Sequence, residues 1–321
     1  MVNNDRPLVL IARILLPAGL EPLRERFEVR EGGPEATPAE LLALAPGASA
    51  LVADPSVPVN AELLDACGDG LRVAANFAVG YDNIDLEACR ERGVAVTNTP
   101  DVLTEATAEL ALALTLAAAR RMSDAERDLR AGLWRGWDPA AYRGLEIAGS
   151  TVGVVGMGRI GHRYARLAHG LGATILYAGP TAKSEAESEL GARRLDLDDL
   201  LEASDVVSVH APATPETHHL IGAHEVELIG PDGVLVNTGR GPLVDSKAVA
   251  AALESGTLGA AGLDVYEGEP DVPPPLLEAP RCVLLPHIGS ATVRARDGMA
   301  RAVADNVIAV LEGREPLSRV I

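Results

Sequence analysis

The sequence predicts an α/β protein built from two doubly wound parallel-sheet domains. Short apolar runs alternate with helical stretches along all 321 residues, and within these runs apolar residues do not alternate with polar ones. Strands of this kind are covered on both faces, which is typical of parallel sheets with helices on either side. The strand–helix alternation restarts near residue 151, and a chain of this length is expected to hold about two domains.

The order of elements follows from these runs. The first set of predicted strands is 8–15, 49–53, 71–76 and 94–97, separated by helices such as 60–67 and 84–92. The second set is 151–155, 174–178, 205–209, 234–237, 260–265 and 282–285. A long helix over 101–131 separates the two sets, with Thr104 as its N-cap and early glutamates that suit the helix dipole. A last helix covers about 292–312. The proline-rich segment 271–280 is predicted to be a loop.

The domain organisation predicted from this order has one domain inserted in the other. A Rossmann dinucleotide-binding domain is expected over residues 99–290, and a flavodoxin-like substrate domain over 1–98 together with 291–321. Ligands of such sheets bind beyond the carboxyl ends of the strands. A cleft between the two domains is therefore the expected reaction site.

Composition limits the classes of function. Hydrophobic residues make up 47% of the chain but aromatic residues only 3%, so the cores are expected to consist of alanine, valine and leucine. The net charge of −18 argues against a nucleic-acid partner, because phosphate binding needs a basic face. An anionic substrate must then be attracted by local cations and not by the overall field.

Cysteine usage and hydropathy predict a cytoplasmic protein without a membrane span. Cys67, Cys89 and Cys282 are scattered and odd in number, which fits free thiols in a reducing compartment and not disulfides or a metal site. The first apolar run is broken by Arg13 and lacks a clear cleavage site, so we interpret it as a strand and not as a signal peptide. The apolar stretch 110–120 is too short to cross a membrane and is expected to be a buried helix.

A glycine-rich turn predicts a dinucleotide site. Gly156, Gly158 and Gly161 form a G-x-G-x-x-G motif between the strand TVGVV and an amphipathic helix. The first glycine permits a tight turn, the second lets the backbone approach a pyrophosphate, and the third lets helix and strand pack closely. The helix N-terminus then offers unpaired N–H groups to the phosphates.

The strand after this helix favours NADP over NAD as the cofactor. In NAD-binding domains an acidic residue at the end of this strand pairs with the ribose 2′-hydroxyl. In this chain the strand is followed by Gly179, Pro180, Thr181, Ala182 and Lys183, and no carboxylate occurs before position 185. Repulsion against a 2′-phosphate is thereby removed, and Thr181 and Lys183 are candidates to bind one. The arginine often used for this purpose is absent from the segment.

Three residues at later strand ends predict hydride-transfer chemistry. Arg240 follows NTG, and its guanidinium is suited to grip the carboxylate of a 2-oxo acid and polarise the adjacent carbonyl. His287, in PHIGSAT, is suited to donate a proton to the developing alkoxide. Glu269, in YEGEP, is suited to orient that imidazole and favour its protonated form. Each residue alone is more simply explained as structural, and their joint occurrence after a dinucleotide turn favours catalysis.

The chain resembles the D-isomer-specific 2-hydroxyacid dehydrogenase family, and within it the glyoxylate/hydroxypyruvate reductases. The resemblance covers nearly the whole chain and rests on seven segments in family order. These are ANFAVGYDNID, NTPDVLTEATAEL, GMGRIG, HAPATPETHHLI, NTGRGPLVD, GLDVYEGEP and PHIGSAT. The chain departs from the family pattern at Phe77, at Gly179 and Pro180, where NADP-using members often have serine and arginine, and at Tyr164, which is large for its place.

The resemblance implies roles for individual residues. It implies that Arg240, Glu269 and His287 are catalytic, and that Asp264 holds the nicotinamide carboxamide. It also implies that the amides of Val79 and Gly80 bind the substrate carboxylate. Trp137 is then the candidate to reach the partner subunit's site, with Trp134 second, in a homodimer joined through the helix near Thr104. The further residues expected at the cofactor are Thr104, Met157, Arg159, Ile160, His210, Pro212, Thr217, Thr238, Gly239, His287 and Gly289.

Two alternatives to 2-oxo acid reduction stay open from the sequence. The same scaffold would serve an acyclic imino acid, which presents C=N in place of C=O and yields a D-amino acid. A different class is a nucleotide-sensing corepressor. Such proteins carry disordered tails and partner-binding grooves, and this chain is expected to have neither a long tail nor a basic patch. The substrate side chain is not specified by the sequence.

Overall fold

The computed structural model describes residues 6–321, which form two compact units. One unit contains the described part of Met1–Leu103 together with Ser290–Ile321, and the other contains Thr104–Gly289. The predicted boundaries, after residues 98 and 290, lie close to these divisions. The substrate and cofactor roles assigned to the two units stay predictions.

Strands and helices alternate along residues 6–321. The strands are β1 (Leu8–Ile11), β2 (Glu28–Glu31), β3 (Ala48–Ala53), β4 (Val73–Asn76), β5 (Ala95–Thr97), β6 (Thr151–Val155), β7 (Thr174–Ala178), β8 (Arg193–Arg194), β9 (Val206–Val209), β10 (Val234–Asn237), β11 (Ala260–Leu263) and β12 (Cys282–Leu284). The helices are α1 (Pro17–Arg26), α2 (Pro38–Leu44), α3 (Ala61–Cys67), α4 (Leu86–Glu91), α5 (Thr104–Ala119), α6 (Met122–Arg130), α7 (Arg159–Gly170), α8 (Ser184–Leu190), α9 (Leu197–Glu202), α10 (Ala223–Ile229), α11 (Ser246–Ser255), α12 (Pro274–Glu278) and α13 (Val293–Leu311). Short 3₁₀ turns lie at Pro215–Thr217 and Gly241–Leu243.

The first unit has the flavodoxin-like strand order. Its sheet runs β2-β1-β3-β4-β5, and every pairing between these strands is parallel. Strands β1 and β4 are buried along their whole length, as expected for apolar runs covered on both faces. Helix α13 packs against α1 and β4, so the last helix returns to the N-terminal sheet as predicted.

The second unit has the Rossmann strand order with one added strand. Its sheet runs β12-β11-β10-β9-β6-β7-β8 and is parallel throughout. The chain enters at β6, continues outward to β8, and then returns to fill the other side from β9 to β12. The strand order therefore reverses between β6 and β9, where such sheets bind their ligands. The predicted fold class, two doubly wound parallel-sheet domains, is confirmed.

The outermost strands β2 and β8 were missed by the sequence analysis. Their sequences are Glu-Val-Arg-Glu and Arg-Arg, and their side chains are exposed or only partly buried. Strand prediction from apolar runs detects strands that need two apolar faces. An edge strand meets a neighbour on one side only, and charged residues suit such a position.

The predicted single helix over 101–131 is wrong. Helix α5 begins at Thr104 itself, so this residue is the first helical residue and not the preceding N-cap, and it ends at Ala119. Arg121 then adopts a left-handed backbone, with φ of +52°, before α6 begins. The carbonyl of Ala119 accepts a hydrogen bond from Leu145 N–H at 2.9 Å, which takes the acceptor that a continuing helix would use.

The predicted loop over 271–280 contains the short helix α12. Pro274 occupies its first turn. A proline is tolerated there because the first N–H groups of a helix have no intrahelical acceptor. The prediction treated every proline as excluded from helices and so overlooked this position.

Tyr164 fills the contact between α7 and α5. Its side chain is fully buried, and its hydroxyl lies 2.9 Å from Thr115 Oγ1. Burial raises the pKa of Tyr164 to about 12, although hydrogen bonds with Thr115 and Ser208 oppose the shift. Tyr164, which departs from the family pattern, therefore has its ring buried and its hydroxyl hydrogen-bonded.

Candidate active site

The candidate site of the second unit lies at the carboxyl ends of its parallel strands. The glycine turn follows β6, and His210 follows β9. Arg240 follows β10 after a two-residue turn, Asp264 directly follows β11, and His287 lies just beyond β12. Since these strands are parallel neighbours in one sheet, their ends meet at one edge.

His287 and Glu269 form a short hydrogen-bonded pair. Nδ1 of His287 lies 2.6 Å from Oε2 of Glu269, and the other carboxylate oxygen accepts the backbone N–H of Tyr266 at 2.8 Å. The side chains keep 36% and 32% of their surface exposed, so both are within reach of a ligand. A carboxylate fixed in this way holds the proton on Nδ1 and leaves Nε2 as the nitrogen that can exchange a proton with a ligand.

The charge on Glu269 is stabilised where it lies. Burial opposes ionisation, but the hydrogen bonds from His287 and from the Tyr266 amide, with the positive charges of His287 and Arg240, outweigh it. The pKa of Glu269 is therefore below its ordinary value. Glu269 is thus a carboxylate throughout the neutral range and can accept a hydrogen bond from Nδ1 of the imidazole beside it.

Asp264 holds the turn that carries His287. The carboxylate is 1% exposed, and its two oxygens accept the backbone N–H groups of Ile288 and Gly289, each at 2.8 Å. The N–H of His287 donates to the backbone carbonyl of Asp264, also at 2.8 Å. His287 has a left-handed backbone with φ of +51°, which costs about 1–2 kcal/mol in a non-glycine residue. These bonds hold the residue in that conformation.

The pKa of Asp264 reflects this position. Burial raises the pKa, and the backbone hydrogen bonds and the positive charge of His287 oppose that increase. The structure therefore gives Asp264 a part in orienting the His287 turn that the sequence analysis did not foresee. Its implied role at a nicotinamide carboxamide stays a prediction.

The Arg240 turn is fixed by Asn237 and packed against the Glu269 loop. Asn237 is fully buried, its amide donates to the carbonyl of Arg240 at 2.9 Å, and its oxygen accepts the N–H of Gly239 at 3.0 Å. A Cβ atom at Gly241 would lie 1.9 Å from the backbone of Tyr266. Only glycine allows this approach, so the contact brings the Arg240 turn and the loop of Glu269 together.

The glycine turn has the shape that a dinucleotide requires. Gly156 has φ of +96°, and a Cβ there would lie 2.6 Å from the backbone nitrogen of Ala211. A Cβ at Gly161 would lie 2.2 Å from the carbonyl oxygen of Gly156, so this glycine is needed for helix–strand packing. Gly158 differs, because a Cβ there meets no atom within 4 Å. The space in front of Gly158 is thus open to a ligand.

We expect Gly158→Ala to weaken cofactor binding without unfolding the protein. The added methyl group occupies the space that a pyrophosphate needs, so the dissociation constant for NADPH should rise at least about tenfold. Gly158 is the N-cap of α7, where alanine costs about 0.5–1 kcal/mol, so the melting temperature should fall by no more than about 4 °C. Gly170→Ala, at an equally open position on the same helix, is the matched control. Equal NADPH affinity in the two variants, measured by calorimetry, contradicts the assignment.

The segment after β7 is an exposed loop without a carboxylate. Gly179 is half-buried, Pro180 and Thr181 are exposed, and the backbone N–H of Lys183 donates to the hydroxyl of Tyr177 at 2.8 Å. No aspartate or glutamate occurs between β7 and position 185. This loop therefore contains no carboxylate that could bind a cofactor ribose or repel a 2′-phosphate.

Two buried polar atoms at the carboxyl ends of β9 and β10 have no hydrogen-bond partner among residues 6–321. They are Nδ1 of His210 and Oγ1 of Thr238. Ser208 Oγ lies 2.8 Å from His210 Nε2, and burial lowers the pKa of His210 to about 3, so this ring is neutral. Unsatisfied buried groups are costly and often mark a binding site. Together with the open Gly158, they fit a site for a nicotinamide dinucleotide.

The remaining predicted cofactor residues lie in loops and near helix starts of the second unit, and their role at a cofactor stays a prediction. Thr217 Oγ1 donates to the carbonyl of Pro212 at 2.8 Å, which shapes the loop after β9. Gly289 accepts a hydrogen bond from Thr107 Oγ1 at 3.2 Å. The others lie on the glycine turn or at the start of helices. They are Met157, which is buried, Arg159 and Ile160 on α7, and Thr104 on α5.

The predicted substrate residues Val79 and Gly80 belong to the first unit. Their carbonyl groups accept hydrogen bonds from Asn98 and Asn76 side chains, at 2.8 and 2.7 Å. Among residues 6–321, neither backbone N–H of the pair donates a hydrogen bond. The peptides are thus fixed with unused donors, and their role at a substrate carboxylate stays a prediction.

Trp137 and Trp134 are on the surface of the second unit. Trp137 is 86% exposed, and Leu129, Leu133 and Trp134 in the same stretch are also exposed. The role of Trp137 at a partner subunit stays a prediction. No helix within residues 6–321 has the length and apolar character needed to cross a bilayer.

Comparison with known proteins identifies the relatives of this chain. Residues 112–289 match the family model for the D-isomer specific 2-hydroxyacid dehydrogenase NAD binding domain. The chain is 45% identical over 317 residues to the glyoxylate reductase of Thermococcus onnurineus, covering 97% of this chain and 95% of that protein. It is 46% identical over 318 residues to the glyoxylate reductase of Thermococcus kodakarensis, with the same coverage of both.

A solved structure with the same architecture carries ligands. It is the NADPH-dependent glyoxylate/hydroxypyruvate reductase of Sinorhizobium meliloti, in complex with NADP and malonate. The sequences are 38% identical, the TM-score is 0.87, and the alignment covers 98% of this chain and 97% of the other. The similarity therefore extends over both units of the fold.

Proposed function

The chain belongs to the D-isomer specific 2-hydroxyacid dehydrogenase family, and we propose that it reduces a small 2-oxo acid of the glyoxylate or hydroxypyruvate type to the D-2-hydroxy acid. It is an enzyme of the NAD(P)-dependent dehydrogenase type. The observation that carries the proposal is the 2.6 Å His287–Glu269 pair beside the Arg240 turn. The names of the similar reductases support the substrate class.

Arg240 is assigned to the carboxylate of the substrate. Its turn is held by Asn237 and by the close approach of Gly241 to Tyr266, so the guanidinium starts from a fixed backbone. A planar guanidinium binds a carboxylate through two parallel hydrogen bonds and so sets the orientation of the neighbouring carbonyl. The substrate is thereby presented with its carbonyl oxygen toward a proton donor.

His287 is assigned as the proton donor in reduction. A nicotinamide cofactor supplies the hydride when it is bound at the glycine turn. As the carbonyl carbon gains that hydride, its oxygen develops negative charge, and Nε2 of protonated His287 gives its proton to this oxygen. Glu269 holds Nδ1 and stabilises the positive ring before transfer. In the reverse direction the neutral ring takes the proton back.

NADP is the proposed cofactor in preference to NAD. Support comes from the loop after β7, which has no carboxylate to bind a ribose 2′-hydroxyl or repel a 2′-phosphate. The similar reductase from Sinorhizobium meliloti is NADPH-dependent. Thr181 and Lys183 remain candidate ligands in this loop.

A homodimer is the proposed assembly. Support comes from the exposed apolar residues of the second unit between Leu129 and Trp137, because large exposed apolar side chains grouped together often mark an interface. In this proposal Trp137 contributes to the active site of the partner subunit.

A reducing compartment such as the cytoplasm is the proposed location. The three cysteines are free, and Cys67 and Cys89 are buried. Burial raises the pKa of Cys67 to about 11, so this thiol is protonated and unreactive at neutral pH. The thiols thus behave as small apolar residues.

We expect Glu269→Gln to lower the reduction rate and change its pH dependence. Loss of a hydrogen bond to a charged group, about 1.5–3 kcal/mol, corresponds to a roughly 10- to 100-fold fall in kcat near neutral pH. The pKa of Glu269 is lowered, so in the wild type the carboxylate is lost only below its ordinary pKa, and the rate should decline there as the carboxylate is protonated. Glutamine does not titrate, so this acid decline should be absent from Glu269→Gln. Profiles of kcat/KM from about pH 3.5 to 9 measure both effects.

Glu267→Gln is the matched control for this variant. Glu267 lies two positions away and contacts His218 and His219. It should leave the pH profile of reduction unchanged. Identical profiles for Glu269→Gln and the wild type contradict the assigned role of Glu269.

The proposed substrate class is tested by an initial-rate screen. Glyoxylate, hydroxypyruvate, pyruvate and bulkier 2-oxo acids are each supplied with NADH and with NADPH. The highest kcat/KM is expected for the two small acids with NADPH. Negligible turnover of every 2-oxo acid, with cofactor still bound, refutes the proposal, and rates that appear only when ammonia or an amine is added indicate imino acid reduction.

A further inference from the structure

Strand β8 brings a second cationic side chain to the loop after β7. Arg194 on β8 is paired in register with Tyr177 on β7. Its Nε–H donates to the carbonyl of Gly179 at 3.0 Å, and Nη2 donates to the carbonyl of Pro180 at 3.2 Å. The guanidinium is therefore held at the loop where the sequence offers neither an arginine nor a carboxylate.

The charge of Arg194 is not neutralised by an ion pair. Among residues 6–321, no aspartate or glutamate oxygen lies within salt-bridge distance of its guanidinium, although the chain has 46 acidic residues against 28 lysines and arginines. A guanidinium has five N–H donors, and the two neutral carbonyl groups use two of them. Glu187, the carboxylate on the nearby helix, accepts the hydroxyl of Tyr177 at 2.6 Å. Arg194 thus keeps an unbalanced positive charge and free donors.

We infer that Arg194 recognises the 2′-phosphate of NADP(H) and replaces the arginine that the loop after β7 lacks. In a Rossmann domain the ribose of the adenosine half lies beyond the second strand, which is β7 in this unit. The planar guanidinium of Arg194 can donate parallel N–H hydrogen bonds to the oxygens of a phosphate dianion at the 2′-position. The 2′-hydroxyl of NAD finds no carboxylate acceptor between β7 and position 185. This inference rests on the proposed binding of a dinucleotide at the glycine turn.

A purely structural role for Arg194 makes a different prediction. If the side chain serves only to hold the carbonyl groups of Gly179 and Pro180, its removal loosens the loop. The loop would then fit either cofactor less well, and NADH and NADPH would lose affinity alike. If Arg194→Ala weakens the binding of NADPH but not that of NADH, Arg194 recognises the 2′-phosphate and does not only hold the loop in place.

The test is the binding of four nucleotides to the full chain without substrate. Dissociation constants are measured by calorimetry for NADPH, NADH, 2′,5′-ADP and 5′-AMP, and the members of each pair differ by the 2′-phosphate alone. Arg194→Ala should weaken NADPH and 2′,5′-ADP by about 10- to 100-fold, the range for hydrogen bonds to a charged group. NADH and 5′-AMP should change less than about twofold. Arg194→Lys keeps the charge and should recover part of the lost affinity.

Two further variants sharpen the result. Arg193→Ala removes the adjacent exposed arginine of the same strand and should leave all four affinities unchanged. Gly179→Asp is sterically allowed, because a Cβ at Gly179 meets no atom within 4 Å and the backbone there is not left-handed. The new carboxylate should weaken NADPH at least about tenfold by repelling the phosphate and pairing with Arg194, while NADH binding is kept or improved.

The outcomes distinguish this inference from the proposed function. Equal weakening of NADH and NADPH by Arg194→Ala, or no change in either, overturns the role of Arg194. Reduction of 2-oxo acids with NADH would then still stand. If no 2-oxo acid is reduced but Arg194→Ala selectively weakens the binding of NADPH, the proposed reaction is refuted. The assignment of Arg194 to the 2′-phosphate then still holds.

Discussion

Replacing His287 by alanine should lower turnover of 2-oxo acids by about 10²–10⁴-fold, the contribution of a well-placed general acid. The imidazole is the group whose Nδ1 lies 2.6 Å from Glu269, and without it no side chain of this pair can protonate the alkoxide. The cofactor affinity should change by less than about twofold, because the glycine turn is unaltered. Steady-state rates at saturating NADPH, with calorimetric binding of the cofactor, measure both quantities.

A second variant separates chemistry from folding at this position. His287 has φ of +51°, and asparagine tolerates this left-handed backbone better than most residues. His287→Asn should therefore keep the turn while removing the proton donor, and should lose activity as severely as the alanine variant. His169→Ala, at an exposed helical position, serves as the control. Turnover close to the wild-type value in both His287 variants removes this residue from catalysis.

Replacing Arg240 by alanine should lower kcat/KM for a 2-oxo acid by about 10²–10⁴-fold, from the loss of two charge-assisted hydrogen bonds of about 1.5–3 kcal/mol each. KM should rise because the carboxylate loses its partner. The turnover number should fall as well, because the carbonyl is no longer oriented or polarised. The two constants are obtained from initial rates over a wide range of substrate concentration.

Arg240→Lys tests whether geometry matters in addition to charge. A lysine keeps the positive charge but lacks the planar fork, so its kcat/KM should lie between those of alanine and wild type. The Arg193→Ala variant is again the control for loss of an exposed arginine. If Arg240→Ala changes only the melting temperature, the residue is structural.

The sheet architecture was predictable because buried parallel strands leave a strong signal. Runs such as TVGVV need apolar side chains on both faces, and such runs predict every strand of the two sheets except the edge strands β2 and β8. Strand β8 has two exposed arginines and leaves no such signal. Strand β8, which the apolar pattern does not reveal, is also the strand that brings Arg194 to the loop after β7.

The breaks in the helices depend on distant parts of the chain. The apolar stretch around residues 110–120 gives no sign that a helix ends at Ala119. The helix ends where Leu145 hydrogen-bonds back to that carbonyl, a contact between residues far apart in sequence. Local patterns do not contain such information.

The reactive residues of the candidate site were predictable from the sequence, but the residues that hold them in position were not. His287, Glu269 and Arg240 are reactive residue types in recognisable segments. The residues that fix them act through the backbone. Asn237 binds the Arg240 turn, and Asp264 binds the amides after His287. A buried asparagine at a strand end is an ordinary sequence feature, and only coordinates show which peptide it holds.

Gly241 sets a limit on how this protein can be altered by selection or design. With the backbone of Tyr266 within 2 Å of any Cβ at this position, every substitution at Gly241 must separate two loops that carry reactive groups. Libraries intended to change substrate range should therefore leave this position invariant and vary the residues around the substrate side chain. Among descendants of this sequence, drift at Gly241 should be much slower than at exposed loop glycines such as Gly70, where a Cβ meets no atom within 4 Å and the backbone is not left-handed.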